Sequence, residues 1–95
     1  MANVLVVDDS AVDRVLVREL LEKEPHWKIE LAENGAEALL HMRESRPDVV
    51  VTDLQMPEMD GLELVTAIHD CDPSVPVVLM TAHGSELLAL DALER

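Results

Sequence analysis

Apolar positions in this chain fall into two alternating rhythms, short continuous runs and helical stripes. Residues 3–7 read NVLVV, the pattern of a strand buried on both faces. Ser10 follows, with Asp13 three residues on, a pairing that marks a helix start. Val12, Val15, Leu16, Leu20 and Leu21 then recur at helical spacing up to Glu24, and Pro25 ends that helix. Trp27, Ile29 and Leu31 alternate with Lys28 and Glu30, which predicts a strand with one wet face. Asn34 caps the next helix, with Glu37 three residues on; Leu39, Leu40 and Met42 lie within it and Pro47 beyond it. Val49, Val50 and Val51 predict a third strand, apolar on both faces, that runs into Asp53. After the loop 55–59, Asp60 caps a third helix, with Glu63 three residues on and Leu62, Val65 and Ile68 as its stripe. Residues 75–80 predict a fourth strand, with Pro76 at its start, and Ser85 predicts the cap of a last helix over 86–95.

Strands alternating with helices predict an α/β fold, a parallel sheet with helices on both faces. The second strand alternates, so it belongs at an edge. The first and third are apolar throughout, so they belong inside. An order of 2-1-3-4 satisfies both, in one doubly wound domain over residues 1–95. The chain winds one way after strand one and the other way after strand two. That reversal opens a crevice at the C-terminal ends of strands one and three, where open α/β sheets bind ligands.

Charge sharpens this picture. Twenty acidic side chains against seven basic ones give a net charge of −13. Direct binding to nucleic acid or to an anionic membrane is disfavoured, whereas a cation partner fits. No apolar run is long enough to span a bilayer and no basic-then-apolar leader opens the chain, which makes the cytoplasm the default location. Cys71 is the single cysteine, so neither an intrachain disulfide nor a thiolate metal site is expected.

Strand one ends in Asp8-Asp9, strand three in Asp53 and strand four in Thr81. Each residue alone has an ordinary explanation: helix-dipole complementation for the aspartate pair, a turn for Asp53, a helix-preceding turn for Thr81. Together, at the ends of three adjacent strands, they place three carboxylates and a hydroxyl on one rim of the sheet. Three close carboxylates repel, so one keeps a proton or a cation neutralises them. Oxygen donors with no His or Cys among them favour Mg²⁺, and Mn²⁺ could substitute. A carboxylate beside Mg²⁺ can itself attack phosphorus and form an acyl phosphate.

The segments Val6-Val7-Asp8-Asp9-Ser10, residues 50–61 (VVTDLQMPEMDG) and Leu79-Met80-Thr81-Ala82 resemble the response-regulator receiver domain of two-component signalling, a flavodoxin-like fold. The resemblance covers essentially the whole chain. It implies that Asp53 is the phosphoacceptor and takes its phosphoryl group from a sensor histidine kinase or phosphotransfer protein. It implies that Asp9 and Asp53 ligate Mg²⁺, with the backbone carbonyl of Gln55 as a third ligand and Asp8 holding a metal-bound water or positioning the ion. Thr81 would move toward the phosphoryl group, and Ala82 would leave room for that movement. The side chains of Gln55 and His83 would tune the lifetime of the acyl phosphate. Such a domain is a stoichiometric phosphoacceptor rather than an enzyme.

The family pattern also has a fifth strand, which ends in a lysine, and a fifth helix. Neither Lys23 nor Lys28 fits that lysine, so the chain reads as a receiver truncated before strand five, with weakened phosphorylation. The fourth strand is apolar on both faces and unguarded by charge, which predicts self-association through its edge. Two other functions compete. A receiver-like interaction module that has lost the chemistry is favoured by the missing lysine and opposed by Asp8, Asp9, Asp53 and Thr81. A magnesium-dependent phosphatase with an aspartate nucleophile is opposed by the adjacent Asp8-Asp9, where such enzymes carry Asp-x-Asp.

Overall fold

A computed structural model of the chain describes residues 2–80 and 87–88. Its order is β1 (Ala2–Val7), α1 (Ala11–Leu21), β2 (Trp27–Ala32), α2 (Gly35–Glu44), β3 (Val49–Asp53), α3 (Gly61–Cys71), β4 (Val77–Met80) and β5 (Leu87–Leu88). The strands form one sheet in the order β2-β1-β3-β4-β5. The first four are parallel, as their crossover helices require, and β5 runs antiparallel to β4. No helix among the described residues is long and apolar enough to cross a membrane.

The three helix starts are local and chemical. Ser10 Oγ accepts from the Asp13 amide at 3.3 Å and Asn34 Oδ1 from the Glu37 amide at 2.8 Å. Asp60 and Glu63 close a reciprocal box, with Asp60 Oδ1 accepting from the Glu63 amide at 2.8 Å and Glu63 Oε1 from the Asp60 amide at 3.0 Å. Each satisfies amides that the first turn leaves unpaired.

The period of two along the strands splits the interior into two clusters. Leu5, Val7, Val50, Val77 and Leu79 point to the side covered by α2 and α3, where Ala38, Met42, Leu64, Val65 and Ile68 meet them. Val4, Val6, Val51 and Met80 point to the opposite side, where Val17 and Leu21 of α1 are packed. Among the described residues that side is thinly covered. No residue of α1 is buried, and Val12, Leu16 and Leu20 are 68, 54 and 63 % exposed. Most of the predicted stripe of α1 therefore lies away from the sheet; Leu21 of that stripe and Val17, which lies outside it, pack on the sheet.

Two expectations for the C-terminal part change. Leu87 and Leu88, expected inside a helix over 86–95, form the short strand β5, because they pair with Met80 and Leu79 at the sheet edge. The edge of β4 is consequently occupied beside Leu79 and Met80, where an open edge was expected. Ser85 and the remainder of that expected helix lie outside the described residues.

Candidate functional site

Register and strand parity bring two acidic side chains together. Val7 of β1 pairs with Thr52 of β3, so the next residues, Asp8 and Asp53, stand side by side at the strand ends. Asp8 continues the parity of Val4 and Val6, and Asp53 that of Val51, so both project to the α1 side of the sheet. Asp9 follows at once. Carboxylate oxygens of Asp8, Asp9 and Asp53 all lie within 4.8 Å of one another.

Each is held differently. Asp8 is only 3 % exposed. Its amide donates to the Ala32 carbonyl at 3.1 Å, and its Oδ1 accepts from the Ser10 amide at 2.9 Å. Asp53 Oδ1 accepts a long bond, 3.4 Å, from the Gln55 amide. Behind Asp53 the chain turns tightly. The Gly61 amide donates to the Leu54 carbonyl at 2.9 Å, and a Cβ on Gly61 would stand 2.5 Å from the Asp53 carbonyl oxygen. Only glycine lets α3 start this close to the end of β3. Within the loop, the Met59 amide donates to the Pro57 carbonyl at 2.8 Å across Glu58, whose φ is 71°. That is a γ-turn with a non-glycine residue in the left-handed region, a strained arrangement.

The electrostatics follow from crowding and burial. Burial is the main cause that raises the Asp8 carboxyl above its ordinary value; the Ser10 amide opposes it, and the charges of Asp53, Asp13 and Asp9 add to the rise. Asp53 is raised too, first by burial, against the Gln55 and Leu54 amides, then by Asp9 and Asp13. Such a cluster gains most from a cation that takes carboxylate oxygens. The donor set is oxygen only and suits a hard divalent ion such as Mg²⁺. Gln55 lies beside the cluster, exposed, while Thr81, Ala82 and His83 lie outside the described residues.

Two residues near the cluster were not singled out from sequence. Asp13, read as a capping partner, also raises Asp8 and Asp53. Arg14 donates through Nη1 to the Asp8 carbonyl at 2.6 Å. A guanidinium one helical turn beyond Ser10 is compatible with such a contact, but only the fold shows which carbonyl it meets. The cluster opens into a groove of about 580 Å³ along α1, floored by Leu16, Leu20 and Met80 and reaching Lys23.

Residues 4–95 match the family model described as the response regulator receiver domain. The chain is 36 % identical over its whole length to the chemotaxis protein CheY of Listeria monocytogenes, of which it covers 80 %. It is 45 % identical, over 96 % of its length, to a protein-glutamate methylesterase/protein-glutamine glutaminase of a Nocardioides species, but spans only 26 % of that protein. Among solved structures, a LuxR-family two-component response regulator from an Aurantimonas species superposes with a TM-score of 0.82 at 32 % identity. That match covers 87 % of this chain and 60 % of the other.

Proposed function

This chain belongs to the response regulator receiver domain family of two-component signalling, and on that premise we propose that it accepts a phosphoryl group on Asp53. The donor is the phosphohistidine of a sensor histidine kinase or phosphotransfer protein. An Asp53 carboxylate oxygen attacks phosphorus, an O–P bond forms as the N–P bond breaks, and the imidazole keeps the electron pair and takes a proton. The observation that carries this reading is the convergence of Asp8, Asp9 and Asp53 at the ends of two neighbouring strands.

Asp9 and Asp53 would hold Mg²⁺ with the Gln55 carbonyl, and Asp8 would hold a metal-bound water. Bound there, Mg²⁺ supplies positive charge against the phosphoryl oxygens, which otherwise approach an acidic cluster. The residues do the rest. Burial and the Ser10 amide keep Asp8 in place, and the Gly61 turn fixes the backbone behind Asp53. Thr81 would contact the phosphoryl group and switch the surface beyond β4, with Ala82 giving it room. The chain would act as a stoichiometric acceptor, with no direct nucleic-acid binding of its own.

Calorimetric titration of Mg²⁺ into the chain and into Asp53→Ala tests the site. Binding that is lost or strongly weakened in Asp53→Ala is expected, and equal binding by the two contradicts the assignment. Binding of Mg²⁺ without any phosphoryl uptake would favour an interaction module that keeps the fold without the chemistry.

A further inference from the structure

The geometry points to Arg14 as a positioning residue that aims Asp9 at the ion, an inference that rests on the metal reading above. The three carboxylates differ in what holds them. Asp8 accepts from the Ser10 amide and Asp53 from the Gln55 amide, but no side-chain hydrogen bond among the described residues holds the exposed Asp9 carboxylate. Its direction is therefore set by its backbone. The peptide that joins Asp8 to Asp9 is planar, so fixing the Asp8 carbonyl fixes the plane from which Asp9 projects. Arg14 does this, donating from Nη1 to that carbonyl at 2.6 Å. The Asp8 amide is tied on its other side to the Ala32 carbonyl at 3.1 Å, so the turn is gripped from both ends.

Distance decides which arm of Arg14 matters. The contact with the Asp8 carbonyl is short, charge-assisted and part-buried, and the Arg14 side chain is only 16 % exposed. The other arm stands 4.0 Å from Glu33 Oε2, on a side chain 61 % exposed, where an ion pair contributes little. A guanidinium this near the cluster also has a cost, because it repels an incoming cation. Positioning and repulsion therefore predict opposite signs when Arg14 is removed.

Mg²⁺ titration calorimetry on the full chain tests this through a double-mutant cycle of Arg14→Ala and Asp9→Ala, with thermal melts on the same samples. Arg14→Ala is expected to weaken Mg²⁺ binding about ten-fold, the scale at which residues supporting a ligand act. The same change in the Asp9→Ala background is expected to add nothing, because the ligand it aims is already gone. Arg14→Lys should recover part of the affinity, and Glu33→Gln should leave it within about two-fold of the parent. Unchanged affinity with a lowered melting temperature would show a merely structural role and overturn the inference. Tighter binding in Arg14→Ala would show repulsion, and equal loss in both backgrounds would show an effect that does not pass through Asp9; either overturns it. Should Arg14→Ala fail to fold, Arg14→Gln takes its place in the cycle with the same expected pattern. A parent chain that binds Mg²⁺ no better than Asp53→Ala overturns the metal reading itself, which separates that failure from this one.

Discussion

At the scale of single residues, the acidic cluster stores unfavourable charge that sets its response to pH. Asp8 and Asp53 have folded pKa values above their ordinary 3.8, chiefly through burial. Between 3.8 and those raised values, the folded chain holds protons that the unfolded chain has released, so stability falls as pH rises through that window. Asp72 works in the opposite direction. The Ser74 hydroxyl, then Arg46 and the Ser74 amide, lower it to about 2, so its contribution is present above 3.8 and lost as pH falls toward 2. Melts recorded with a chelator across this range should show Asp53→Asn losing less stability than the parent as pH rises. At neutral pH that variant should melt higher than the parent without metal and gain less from added Mg²⁺. A parent that melts at or above Asp53→Asn without metal would contradict the account.

The residues themselves announced much of this site. Asp8-Asp9 and Asp53 were legible because they end apolar runs, and the carboxylates of a parallel pair must meet when those runs are neighbours. The aim of Arg14 was not legible, because a long side chain reaching back six residues is fixed only once β1, β2 and α1 are assembled.

At the scale of elements, the turn between β3 and α3 is the most constrained piece. A Cβ on Gly61 meets backbone, with the Asp53 oxygen at 2.5 Å and Leu54 Cα at 2.9 Å, and backbone cannot step aside cheaply. Gly61→Ala should therefore cost about 1–3 kcal/mol in denaturant unfolding. Gly35 offers the contrast, since a Cβ there meets first the Met59 sulfur, the end of an adaptable side chain. Gly35→Ala should cost distinctly less, and equal costs would show that close approach to β3 is not what demands glycine. In the same loop Glu58 sits at φ 71°, so Glu58→Val should destabilise by about 1–3 kcal/mol, whereas Glu58→Gly should be nearly neutral. The helix starts at Ser10, Asn34 and Asp60 were readable because a cap is decided within four residues. The facing of α1 was not. Leu21 of the predicted stripe does pack on the sheet, but Val12, Leu16 and Leu20 stay exposed and Val17, outside the stripe, packs there beside Leu21. β5 was equally hidden, because two leucines in a helix-like stretch become a strand only through an edge that needs partners.

At the scale of the whole molecule, two terms compete. Leu79 and Met80 find partners in β5, but Val77 and Val78 have none on that side among the described residues, and Val12, Leu16 and Leu20 leave apolar surface on α1. Both favour association between copies. A net charge of −13 opposes it over distances of about a Debye length, ~10 Å at 0.1 M salt. Self-association is therefore proposed to be weak at low salt and stronger as salt is raised, a trend that light scattering over a concentration series reads directly. A monomer at every salt and protein concentration would contradict it. The sheet order itself followed from sequence at this scale, since only an edge strand tolerates the alternation of Trp27 to Leu31.

The most direct test of the central claim is intact-mass measurement after incubation with a small-molecule phosphoryl donor, with and without Mg²⁺. One phosphoryl adduct is expected, formed only with Mg²⁺, released by hydroxylamine as an acyl phosphate must be, and absent in Asp53→Asn. No adduct in the parent, or an adduct that persists in Asp53→Asn, would contradict it.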